Sequence, residues 1–190
     1  MTPTQAAVPT SRRKEAMART REALIDAGLR LAERTGLSGL SVNLIVQDAG
    51  VAKGTFFHHF GDRASYLLAL HREFHERLAT QIQAAVADMP PGRERLITGA
   101  NTYLDGCLGD RGVRALLLEA RAEPAVTDEI ARRNIANATL CRPDFAALGR
   151  SHPYASAQLW VGMAAEAALV EHQAAAELPE IRPALEEFLN

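Results

Sequence analysis

The hydrogen-bond donors of this chain concentrate between positions 41 and 63, in the run SVNLIVQDAGVAKGTFFHHFGDR. Lys53, Thr55, His58 and His59 fall close together there, and each carries a group that can donate to a phosphate oxygen or a base edge. Ser41 and Asn43 stand ahead of them and Arg63 follows. Catalysis would need a nucleophile beside a base, or a cofactor signature. No glycine-rich phosphate loop and no metal-binding run occurs in the sequence, so the chemistry on offer is recognition.

Recognition requires elements that aim these groups. Leu44, Ile45 and Ala49 repeat at helical spacing behind Ser41, a good N-cap, and Gly50 supplies the left-handed backbone of a tight break. The second short helix, from about Ala52 to His58, is too small and too polar to be a core helix. Phe56 and Phe60 can pin it from behind while its polar groups face outward. Two short helices crossing at a glycine turn, the second held by aromatic anchors, make a helix-turn-helix that presents donors to the major groove.

These residues resemble the core signature of the TetR family of bacterial transcriptional regulators: Gly50-Val51, then Gly54-Thr55, then Phe57-His58-His59-Phe60, then Asp62-Arg63. Upstream, Arg21 to Gly36 (REALIDAGLRLAERTG) resembles the family's first helix, with Gly36 as its C-terminal cap. The chain departs from the pattern in having Phe57 where the family usually has tyrosine, Ala52 where serine is frequent, and Arg63 where lysine is commoner. The resemblance implies a DNA-binding transcriptional regulator, most often a repressor released from a palindromic operator by a small-molecule effector. Its DNA-contacting set is then Arg12, Arg13, Ser41, Asn43, Lys53, Gly54, Thr55, Phe57, His58, His59 and Arg63.

Charge agrees once it is divided along the chain. The net charge is −2, yet residues 1–63 hold nine Lys/Arg against six Asp/Glu, while residues 64–190 hold twelve against seventeen. Positive potential therefore gathers at the proposed DNA-binding end, where Arg12, Arg13, Lys14, Arg19 and Arg21 precede or open the first helix. With 47% hydrophobic but only 5% aromatic residues, the composition suits packed helices. No apolar run approaches the ~20 residues that span a bilayer, and the N-terminus has no apolar signal-peptide core, so a cytoplasmic protein without a membrane partner is expected. Cys107 and Cys141 are too few for a disulfide scaffold.

The expected fold is all-α: a disordered arm over residues 1–12, a three-helix helix-turn-helix domain over 13–63, and a helical effector-binding and dimerisation domain over 64–190. Asp62 should cap a connecting helix buried through Leu67, Leu70, Phe74 and Leu78, and Pro90-Pro91-Gly92 should end it. A helix from about Ala125 to Leu140, with Val126, Ile130 and Ile135 inward, should give way to a partly looped segment from Arg142 to Pro153. A long alanine-rich helix follows from Tyr154. Its Gly162, Ala164, Ala165, Ala167 and Ala168 permit close approach of another helix, either within the chain or, as in the resembled family, in a second subunit of a homodimer.

That family also commonly binds a small molecule in this second domain. Tyr103, Trp160, Met163 and Glu166 are the candidate effector contacts, although each also fits a structural role: core packing for the first three, pairing with Arg121 or an exposed edge for Glu166. His71 and His75, at i and i+4, lack a third ligand nearby in sequence, so no metal and no cofactor are assigned. Two other classes stay open at this point: an all-helical enzyme, and a helical adaptor that keeps the motif only for packing.

Overall fold

The computed structural model describes residues 9–190, except for the side chains at positions 9, 10, 33, 35–39 and 116. Among the described residues every regular element is helical: α1 (Pro9–Gly39), α2 (Val42–Asp48), α3 (Lys53–Phe60), α4 (Arg63–Val86), α5 (Arg93–Gly109), α6 (Arg111–Glu119), a 3-10 turn (Ala120–Ala122), α7 (Pro124–Ala147), α8 (Pro153–Ala174) and α9 (Ile181–Glu187). The all-α expectation holds.

The first helix is longer than expected at both ends. Residues 1–8 of the expected arm lie outside the described residues, but positions 9–12 open α1, so Arg12 sits on a helix rather than on a disordered arm, and Arg13 follows it there as expected. Proline suits a first helical position, where its missing N–H has no intrahelical partner. Ser11 Oγ then donates to Glu15 Oε1 at 2.7 Å, one turn on. At the other end α1 runs through Gly36, the expected cap, to Gly39. A helical glycine costs only about 1 kcal/mol relative to alanine, too little to force a stop.

Leu24, Ile25, Ala27 and Leu31 of α1 are buried against Ile45 and Val46 of α2, Phe56 of α3 and Tyr66 of α4 in one hydrophobic core. Leu44 instead faces out and Val46 faces in. Tyr66 Oη donates to the Leu24 carbonyl at 2.7 Å. A Cβ at Gly28 would collide with that hydroxyl and lie 2.9 Å from Leu70 Cδ2, so only glycine lets α1 and α4 approach this closely. The stripe Leu67, Leu70, Phe74, Leu78 is buried as its spacing predicts, and it carries α4 out of this head into the helical body. The body meets the head again where α6 packs on α1 and where Arg77 holds Asp26 at 2.5 Å and Glu73 at 2.8 Å.

The segment expected to be partly looped, Arg142 to Pro153, leaves helix only over residues 148–152, because α7 occupies its first half. That helix continues through Pro143 to Ala147, although an interior proline costs about 3 kcal/mol. The next residue, Asp144, is buried and gripped by Arg95 Nε and Nη2, each at 2.6 Å, and by the Gly92 N–H at 2.9 Å. That anchor fixes the turn in which the proline sits. Ile135 is exposed, not inward; Val126, Ala138 and Phe145 supply the buried positions. On α8, Ala157, Trp160, Ala164, Ala167 and Ala168 are buried against the same chain, in helix pairs with α7 and α5. Ala164, Ala167 and Ala168 therefore serve intramolecular packing, while Gly162 is exposed and Ala165 half-buried. Arg182 of α9 closes the body by holding the buried Glu171 at 3.0 and 3.1 Å and Asp105 at 2.7 Å.

Candidate nucleic-acid interface

The second short helix is placed by turn chemistry on one side and aromatic packing on the other. Ser41 Oγ accepts from Leu44 N at 3.3 Å and starts α2. Gly50 then takes a φ of +66°, and Val51 N donates back to Val46 O at 3.0 Å. Ala52 precedes α3 without a side-chain cap, as expected where serine is absent. Phe56 is fully buried, with ring centroids 5.4 Å from Phe60 and 4.9 Å from Tyr66, and Phe60 meets Tyr66 edge to face at 4.8 Å. Three rings thus clamp α3 to the head.

The opposite side of α3 is open. Lys53, Gly54, Phe57 and His58 are exposed, Thr55 and His59 are half-buried, and a Cβ at Gly54 would meet nothing within 4 Å. His59 sits 5.5 Å from the His58 ring; burial first, then the charges of His58 and Arg21, lower its pKa, which makes it a neutral hydrogen-bonding group near neutral pH. Gly61 turns the chain at a φ of +76°, and Asp62 Oδ1 accepts from Ser65 N at 2.7 Å to start α4. Arg63 is exposed on the first turn of α4, and Ser41 and Asn43 lie at the surface where α2 begins, the first exposed and the second exposed beside it. Arg12 and Arg13 are exposed near the N-terminus of α1.

Three further arginines make contacts within the head. Arg30 and Arg34 reach Asp48 at 2.7 and 3.2 Å, fixing the end of α2 to α1, and the hydrogen bond from Arg30 is the main reason the Asp48 carboxyl lies below the usual carboxylate range. The Arg21 guanidinium lies 5.3 Å over the Phe60 ring, behind α3.

Residues 24–70 match the family profile of the bacterial regulatory proteins of the tetR family. This chain has the N-terminal domain of the TetR family. The HTH-type transcriptional regulator BetI of Burkholderia mallei (strain NCTC 10229) is 36% identical over 84 residues, and so is BetI of Burkholderia thailandensis. The aligned stretch covers 43% of this chain and 43% of each relative, so the chain spans less than half the length of these regulators by sequence. The whole fold is similar to solved structures. A transcriptional regulator from Rhodococcus sp. Rha1 superposes with a TM-score of 0.75 at 20% identity, over 89% of this chain and 93% of that one. The multidrug binding protein EbrR, complexed with imidazole, superposes with a TM-score of 0.72 at 24% identity, over 90% and 94%.

None of the four candidate effector residues lines the cleft between the head and the body. Trp160 is core, 6.3 Å from the Phe145 ring; Met163 is half-buried against the core; Glu166 is exposed. That cleft, of about 150 Å³, lies between α1, α4, α5 and α6, lined by Leu29, Arg30, Phe74, Leu78, Gly106 and Val113 among others. Burial first, then the neighbouring Cys107, pushes the Tyr103 hydroxyl up to about 12. Both Tyr103 and Glu166 act electrostatically on Arg121. Around them the interior holds Arg114, which sequence reading passed over, and the His71–His75 pair. Arg114 of α6 is buried at 3% exposure, and its Nε and Nη2 have no hydrogen-bond partner among the described residues. His71 is buried at 2% exposure with an unpartnered Nδ1, its ring 4.4 Å from that of His75. Arg114 falls in a run, GVRALLLEA, whose only legible feature is its apolar character, so nothing local marks it as interior.

Proposed function

We propose that this protein is a DNA-binding transcriptional regulator that acts as a two-fold homodimer and most often represses, releasing its operator when a small molecule binds the helical body. One observation carries the DNA reading: α3 is clamped from behind by Phe56, Phe60 and Tyr66 and turns Lys53, Phe57 and His58 outward. A packing unit would have no reason to leave Phe57 and Lys53 in solvent on a helix this short. In this reading residues 13–63 form the DNA-binding domain and 64–190 the effector-binding and dimerisation domain, with α4 crossing between them.

A two-fold dimer would present two copies of α3 to half-sites about 34 Å apart, one turn of the duplex. Exposed apolar side chains on the α7–α8 hairpin, Ile135, Leu140 and Leu159, offer the surface for it, since the alanine face of α8 is already occupied. A regulatory ligand must favour a conformation whose heads are wrongly spaced for the duplex. The path for that coupling is the junction of α1 with α6 and of Arg77 with Asp26. The structural likeness to a multidrug binding protein supports a ligand in the body.

The test is retention of duplex fragments from genomic DNA by the wild type and by a Lys53/Thr55/Arg63 triple alanine variant, read by mobility shift and sequencing of bound fragments. The wild type should select a palindrome and the variant should lose it. Equal binding by the two proteins would remove the claim, and retention that vanishes for both at modestly raised salt would favour an adaptor that only touches DNA nonspecifically.

A further inference from the structure

An arginine inside a protein is ordinarily paired, because an unpartnered guanidinium forfeits its hydration without compensation. Two other arginines that turn inward here obey the rule: Arg95 is bonded to Asp144 and Arg182 to Glu171. Arg114 does not. Its two unbonded atoms, Nε and Nη2, form the lateral edge of the guanidinium, the edge that donates to both oxygens of one carboxylate.

The surroundings repeat the pattern. Arg114, Arg121 and Arg133 all act on the imidazoles of His71 and His75, and Arg114 also acts on His172, whose Nδ1 is buried without a partner. The acid that acts on His71, Glu129, is already bonded to Arg72 at 2.9 Å and Arg132 at 2.6 Å. Glu166 acts on Arg121 from an exposed position. Donors from α4, α6 and α8 therefore converge on a region short of negative charge. The rings of His71, His75 and Tyr103 and the buried Leu104 and Leu117 lie on the elements around it, which suits an apolar body behind the anionic group.

We infer that the interior of the body is a binding site for a small monocarboxylate with an apolar or aromatic body, its two oxygens held by the lateral edge of Arg114. His71 and His172 donate to it as neutral imidazoles with the proton on Nδ1. This rests on the regulator reading and names the class of its effector: a carboxylate entering between α4, α6 and α8 draws α6 toward it, and α6 is the helix on which α1 of the head packs.

The experiment measures the thermal midpoint of the full chain with sodium benzoate and sodium octanoate at millimolar concentration, with benzamide, inorganic phosphate and sodium chloride at matched ionic strength as controls. Arg114→Met and Arg114→Gln are run beside the wild type. Either carboxylate should raise the wild-type midpoint by several degrees, and benzamide and chloride should not. Arg114→Met should melt higher than the wild type without ligand, because an unpaired buried charge is gone, and both variants should lose the carboxylate response. A wild type indifferent to both carboxylates overturns the inference, and so does a variant that still responds. A response to phosphate alone overturns the assignment to carboxylates. If Arg114→Met melts lower than the wild type, Arg114 is structurally paired and the site falls. DNA retention without added carboxylate separates the two readings: a protein that binds DNA and ignores carboxylates loses only this inference, while one that binds carboxylates but no DNA loses the regulator reading.

Discussion

The head and the body handle positive charge in opposite ways. In the head, Lys53 and His58 are exposed on a short helix, while Arg30 and Arg34 share a single acid, Asp48, and Arg21 lies over the Phe60 ring. In the body, Arg95, Arg114 and Arg182 go inside. Two of these are answered by buried acids of the chain itself, and Arg114 is not. A surface that keeps its cations at the water boundary until contact is suited to a long polyanion, which releases counterions when it binds. An interior that buries a cation without a partner is suited to one small anion.

The contrast is sharpest at Asp144, the internal answer to Arg95. Asp144→Ala should have the largest effect, costing about 3–5 kcal/mol because it leaves Arg95 uncompensated and releases both the Gly92 N–H and the turn around Pro143. Denaturant titration followed by circular dichroism would measure it. If Asp144→Ala and Arg114→Met shift stability in the same direction by similar amounts, the distinction between answered and unanswered buried charge collapses.

The body differs from the head also in its exposed apolar side chains. Leu159 on α8 is 69% exposed, and Leu140 on α7 is 61% exposed. Leu159→Arg should yield monomers by light scattering while leaving the thermal midpoint nearly unchanged, and should weaken operator binding about a hundredfold as tethering of the two heads is lost. Ala164→Arg should behave differently, since Ala164 is buried within the chain: it should lower the midpoint by several degrees before it affects assembly. A Leu159→Arg protein that remains dimeric would move the interface elsewhere.

Protonation gives a third, smaller separation. Burial, with the charge of Arg133 adding to it, lowers the pKa of His71 to about 4, against a usual value of 6.5. The folded pKa is the lower one, so the unfolded chain takes up the proton first as pH falls. The stability that a neutral His71 contributes is complete above about pH 6.5 and is lost progressively down to about pH 4. His71→Phe should flatten the fall in stability across that window by roughly 2–3 kcal/mol. His59→Ala, in the head, should flatten it less, because His59 is only half-buried. Equal flattening by the two would show that burial in the body does not set this titration.

Most of the head was legible in the sequence because its determinants are local. Ser41 caps α2, Gly50 turns with positive φ, Asp62 caps α4, and Phe56 and Phe60 are buried, each within a few residues of the feature it controls. The misplacement of Leu44 shows the limit: a seven-residue helix is too short for spacing alone to say which face is inward. The body was legible in its breaks, such as Pro90-Pro91-Gly92, but not in its interior. The Asp144–Arg95 grip joins positions 49 apart and carries α7 through a proline that reads locally as a stop. Arg114 has no local sign at all, because its burial is decided by α1, α4 and α5 closing over α6.

Lys53 offers the smallest effect and the finest test of how the head reads DNA. It is exposed at the first position of α3, where the helix N-terminus can approach either the phosphate backbone or the groove floor. These two placements differ in what salt does. A lysine on a phosphate releases about one counterion, so Lys53→Ala should lower the slope of log affinity against log salt by about 0.9 and weaken all duplexes alike by about 1 kcal/mol. A lysine on a guanine edge carries sequence information, so the same variant should instead relax selectivity at one position of each half-site by about 1–3 kcal/mol. Filter binding across a salt series, on the selected operator and on a scrambled duplex, would decide between them. A variant with an unchanged slope and unchanged selectivity would show that α3 does not face DNA through Lys53, and that this exposed cation is no more engaged by a partner than a solvated surface lysine.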